Sequence, residues 1–155
     1  MAKEFGLSYV QTVDTAFLET PSCKIPDHIS HEIGDNYIVF VPNFLKWHYA
    51  YRNIPISRID RLYLTIIDVL HDYYPNYKIV MLPQTFNYNN DTMDDIHYFK
   101  YLKSKSVCSE EIIVINDIYS SDIQQTIISN SKLLIGARYH SAVFAINNKI
   151  PFIAL

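Results

Sequence analysis

A chain of 155 residues that is 49% apolar and 19% charged is long enough to bury one domain's core and too apolar to remain disordered. Its formal charge of −3 excludes a general nucleic-acid binder. No run reaches the ~18 apolar residues of a membrane span or forms an N-terminal signal core, so a cytoplasmic protein is expected, with Cys23 and Cys108 as reduced thiols lacking metal-ligand spacing.

Residues 1–35 are the least regular part of the chain. Val10 to Leu18 suits a short strand or turn, and Pro21, Pro26 and Gly34 punctuate the rest of the segment. This stretch reads as an inter-domain connector, ill suited to begin a core, and residues 36–155 read as the folded domain. Tyr37 to Val41 is a β-branched and aromatic run ended by Pro42-Asn43, which predicts a buried strand. A loop with Lys46, Trp47, His48 and Arg52 leads to a helix predicted from Ser57, with Ile59, Leu62, Tyr63, Ile66, Ile67 and Leu70 on one apolar face.

Lys78 to Leu82 is the second predicted strand, cut off by Pro83 with Gln84 and Thr85 just beyond it. Thr92-Met93-Asp94-Asp95 supplies a helix cap with a carboxylate three positions later, and that helix runs to about Lys103. Glu111 to Ile115 is a third strand, Ser120 or Ser121 caps a further helix, Lys132 to Ile135 is a fourth strand, and Pro151 to Leu155 is a fifth. Apolar strands alternating with single helices predict an α/β fold, a Rossmann-like parallel sheet with helices on both faces. Right-handed crossovers favour the order 3-2-1-4-5, which makes the ends of strands one and four neighbours.

Ligands of open α/β sheets bind beyond the carboxyl ends of the strands. The Asn43 loop and the turn Gly136-Ala137-Arg138-Tyr139-His140-Ser141 then flank one crevice, with the Gln84 loop next along the same edge. Arg138 has the planar donor fork that suits phosphate or carboxylate, and His140 exchanges a proton near neutrality. The local pattern alone equally suits a surface turn with a solvated Arg and a His at a helix start. No Gly-x-Gly-x-x-Gly, phosphate-binding loop or Gly-x-Ser-x-Gly elbow is present, and the remaining histidines lack ligand spacing apart from a weak His28/His31 pair.

The segment Gly136 to Ala145, followed by Lys149-Ile150-Pro151-Phe152-Ile153-Ala154-Leu155, resembles the signature of the polysaccharide pyruvyl transferases: a strand, Arg-x-His, a small-residue helix and a Pro-led strand. Thr12 to Leu18 is similar to that family's seam between domains, Leu82-Pro83-Gln84 to its second-strand terminus, and Asp94-Asp95 to its acidic pair. The resemblance implies one half of a GT-B-like two-domain fold, the C-terminal Rossmann-like domain. It also implies that the N-terminal domain is missing and that the C-terminal end is incomplete.

It further implies transfer of pyruvyl from phosphoenolpyruvate to a saccharide or lipid-linked oligosaccharide acceptor of cell-surface polysaccharide, as a ketal. His140 and Arg138 are then the catalytic candidates; Arg138, Tyr139, Ser141, Asn43, Lys46 and Gln84 are the substrate-binding candidates, with no metal and no cofactor. Pro42-Asn43-Phe44 stands where many relatives carry a second Arg, leaving Lys46 or Arg52 to substitute. Two alternatives stay open, a GT-B glycosyltransferase half using a nucleotide sugar and a non-catalytic remnant or binding domain.

Overall fold

In the computed structural model, which describes residue 6 and residues 12–21, 24–45, 49–86 and 94–155, the chain forms a five-stranded parallel sheet with helices around it. The elements run α1 (Asp27–Ile33), β1 (Tyr37–Val41), α2 (Ile56–Tyr73), β2 (Lys78–Met81), α3 (Asp95–Lys105), β3 (Ile112–Val114), α4 (Ser121–Ser129), β4 (Leu134–Gly136), α5 (Tyr139–Asn147) and β5 (Phe152–Ala154). The strand order is β3-β2-β1-β4-β5, as the alternation of strands and helices predicts. Tyr37 pairs with Lys78, and Val39 with Leu134, which fixes β1 at the centre.

Every residue of β1 is buried, and its side chains alternate between two cores. Tyr37, Val39 and Val41 face the side covered by α1, α4 and α5, where Ile29, Ile33, Ile127 and Phe144 pack. Ile38 and Phe40 face the side covered by α2 and α3, where Tyr63, Ile67, Phe99 and Leu102 pack. Burial on both faces is why the strand reads as a continuous apolar run rather than an alternating one.

Several details differ from the sequence reading. The stretch before β1 is more than a connector, since a 3₁₀ turn at Thr15–Leu18 and helix α1 place Ala16, Ile29 and Ile33 in the core. A seven-residue helix bounded by Pro26 and Gly34 is too short to show a period. Leu62 points to solvent at 55% exposure, because the buried stripe of α2 is Ile59, Tyr63, Ile67 and Leu70. Thr92 lies outside the described residues, and Asp94 is the cap of α3, its Oδ1 accepting from Ile96 N–H at 2.7 Å. Strand β5 is exposed along its length, so the sheet is not covered at that edge among the described residues.

Candidate functional site

Three strand ends build the site. After β1 the chain passes Pro42 to Asn43, whose backbone is held by one phenol. Asn43 N–H donates to Tyr63 Oη at 3.2 Å, and the Tyr63 hydroxyl donates to Asn43 O at 3.1 Å. Burial pushes the Tyr63 hydroxyl up from the ordinary phenol range, so it remains a donor at neutral pH.

After β2, the N–H groups of Gln84 and Thr85 both donate to Asp95 Oδ2 at 2.9 Å, and Asp95 N–H returns to Thr85 O at 3.1 Å. The other carboxylate oxygen, Oδ1, accepts from Arg138 Nη2 at 2.5 Å, with the Asp95 side chain fully buried and Arg138 at 16% exposure. Burial pushes the Asp95 carboxyl up, opposed by the Arg138 guanidinium and the two backbone N–H groups. One carboxylate therefore ties the end of β2 to the turn after β4.

That turn is fastened to the end of β1 as well, through Ala137 N–H donating to Val41 O at 2.9 Å. Arg138 occupies the position before α5 with extended backbone, and no side chain caps the helix. Ser141 is buried and donates to Arg138 O at 2.6 Å, and a Cβ on Gly136 would lie 2.6 Å from its Oγ. Ser141 thus props the turn from beneath and does not line the crevice, while Gly136 is glycine because the serine occupies its side-chain space.

The strand ends and the segment from Asp14 to Glu19 enclose a cavity of about 540 Å³, the size of a small-ligand pocket. Asn43, Gln84, Arg138, Tyr139 and His140 all line it, so the structure brings together five of the seven residues expected from sequence. Lys46 lies outside the described residues. Three buried polar atoms, Asn43 Oδ1, Gln84 Nε2 and Arg138 Nε, have no hydrogen-bond partner among the described residues. Leaving such an atom unmatched costs about 1–3 kcal/mol. All three belong to residues lining this one cavity, which suits groups kept for a ligand.

The charge around the cavity is divided. Ser121 and Gln124 bring in the first turn of α4, where the Asp122 carboxylate already accepts from the backbone N–H groups of Asp122 and Ile123, so it is the start of α5, with no side-chain cap, that offers N–H groups favouring an anion. The hydroxyl of Ser120 donates to the Asp122 carboxylate instead of capping α4. The opposite wall carries Asp14 and Glu19. Asp14 Oδ1 accepts from Ala16 N–H at 2.9 Å, and its Oδ2 lies 3.8 Å from His140 Nε2. Asn147 Nδ2 donates to Ala16 O at 2.9 Å and holds this wall against α5. The crevice is therefore not uniformly positive among the described residues, because Asp95 already takes one prong of Arg138.

Sequence reasoning missed Asp14 and Asp95 as members of the site. Locally Asp95 reads as an ordinary first-turn carboxylate; the resemblance of Asp94-Asp95 to the family's acidic pair was its one signal, and nothing local shows that a turn 43 positions away returns to it. Asp14 lies in the irregular segment, where only the resemblance of Thr12 to Leu18 to a domain seam carried a signal.

The family model described as polysaccharide pyruvyl transferase matches residues 1–155. No curated protein matches the sequence. Among solved structures, the chain is similar to the Methanocaldococcus jannaschii UDP-GlcNAc 2-epimerase in complex with UDP-GlcNAc and UDP, with TM-score 0.56 and 16% identity. The likeness covers 83% of this chain and 32% of that one, so the chain spans about a third of that protein's length, and at this identity it bears on fold alone.

Proposed function

The chain belongs to the polysaccharide pyruvyl transferase family, and from that premise we propose that the crevice holds phosphoenolpyruvate and passes its pyruvyl group to two hydroxyls of a saccharide. The observation that carries this reading is the convergence of Asn43 Oδ1, Gln84 Nε2 and Arg138 Nε, buried and unmatched, on one cavity beside the uncapped start of α5.

The donor's phosphate and carboxylate lie on the side of Arg138, Gln84 and the N–H groups opening α5. The acceptor's hydroxyls lie on the side of Asp14 and Glu19, whose carboxylates accept from sugar hydroxyls. In the transfer, C2 of the donor gains two C–O bonds to the sugar and loses its bond to phosphate. One hydroxyl proton ends on C3, making the methyl group, and the other leaves with phosphate. His140 moves these protons, and Asp14, 3.8 Å away, orients its ring and balances its charge when protonated.

Calorimetric titration with phosphoenolpyruvate tests the donor side. Arg138→Lys keeps a cation beside Asp95 while removing the Nε donor, and Gln84→Ala removes the unmatched amide. Each variant is expected to bind at least about tenfold more weakly, the scale of one hydrogen bond to a charged group. Unchanged affinity in both folded variants would contradict the assignment.

A further inference from the structure

His71, Cys108 and Glu111 bring an imidazole nitrogen, the thiol sulfur and a carboxylate oxygen within 4.8 Å of one another. We propose that these three side chains form a zinc-binding site, separate from the crevice, that joins the end of α2 to the entry of β3. It lies at the opposite edge of the sheet. His71 is in the last turn of α2, which leads into β2, and Glu111 directly precedes β3, so both lie where the parallel strands begin.

The donor set determines the choice of metal. One nitrogen, one sulfur and one carboxylate oxygen suit a borderline-soft ion that accepts all three at about 2.0–2.3 Å in a tetrahedron, and are poor for magnesium or calcium, which take oxygen. Three protein ligands leave the fourth position to water or an added ligand. Ligand atoms already within 4.8 Å need only small side-chain rotations to close on one ion. Binding releases the thiol proton of Cys108. The Ser106 hydroxyl, 3.3 Å from the sulfur, then donates to the thiolate as an outer-shell support.

Sequence spacing hides this site. In the sequence Cys108 reads as a reduced thiol without metal-ligand spacing, and His71 as one of the histidines that lack ligand spacing. Only the return of the chain from α3 to β3 brings them together.

The test uses the full chain, reduced and stripped with chelator, titrated with Zn²⁺ against a chromophoric competitor and, in parallel, with Co²⁺. The expected result is one equivalent of zinc, a Tm that rises with zinc, and a cobalt spectrum with tetrahedral visible bands and a thiolate-to-metal charge-transfer band. Cys108→Ser should abolish the charge-transfer band. His71→Asn and Glu111→Gln, both at partly exposed positions, should each weaken zinc at least about tenfold, since even an outer-shell loss costs about 10–100-fold. Cys23→Ser should leave the affinity and spectrum unchanged. Absence of binding by the folded chain, or zinc affinity indifferent to both His71→Asn and Glu111→Gln, would overturn the proposal.

Discussion

At the scale of single residues, Asp95 decides how Arg138 is presented. Removing either partner of a buried pair strands the other charge, so Arg138→Ala and Asp95→Ala should each destabilise the fold by about 3–5 kcal/mol. The double variant should lose less than the sum, and denaturant unfolding of the four proteins measures the difference. Arg138→Ala is consequently a poor probe of binding, because lost affinity and lost stability would arrive together. His140 is different, with a side chain 58% exposed and touching Asp14 only at 3.8 Å. For the proposed transfer, His140→Asn should lower kcat by about 10²–10⁴ while leaving donor affinity nearly unchanged. An equal loss in donor affinity would assign the ring to binding instead.

Among the elements, the junction of β4 and α5 is tightly packed around Ser141. Gly136→Ala would push a methyl against Ser141 Oγ and break its hydrogen bond to Arg138 O, costing about 1–3 kcal/mol in thermal or denaturant unfolding. Ser141→Ala in the same chain should recover part of that loss, since the added methyl would then meet Leu134 Cδ2 at 3.3 Å and the Cβ of position 141 at 3.6 Å, without the hydroxyl at 2.6 Å. On the other face, Asp60 of α2 accepts from Tyr98 Oη at 2.7 Å and from Tyr101 Oη at 3.2 Å on α3. Tyr98→Phe leaves the buried Asp60 short of a donor and should cost about 1–3 kcal/mol.

Strand β1 was legible because burial on both faces leaves an unbroken apolar run from Tyr37 to Val41, with Asn36 before it and Pro42 after it. Helix α1 was not, since seven residues between a proline and a glycine carry no readable period. The inward turn of Ser141 and the reach of Asp95 were also hidden. Asp95 meets Arg138 by tertiary approach across 43 positions, which local propensity does not encode, while Ser141 turns inward through its bond to Arg138 O three positions before it.

For the whole molecule, parallel topology carries the ends of β1, β2 and β4 to one edge, and that edge holds the cavity. The position of the cavity was readable from alternation and strand order, as was the clustering of Asn43, Gln84, Arg138 and His140 around it. Its divided charge was not readable, because Asp14 and Glu19 arrive from the irregular segment before α1. Among the described residues no helix is long and apolar enough to cross a membrane. On the proposed function, this edge selects an enol phosphate bearing a carboxylate. Calorimetric titration of the folded chain with phosphoenolpyruvate, beside inorganic phosphate and a nucleotide diphosphate sugar, tests it most directly. The expected result is saturable binding of phosphoenolpyruvate at least about tenfold tighter than either control; preference for the nucleotide sugar, or no binding of phosphoenolpyruvate, would contradict it.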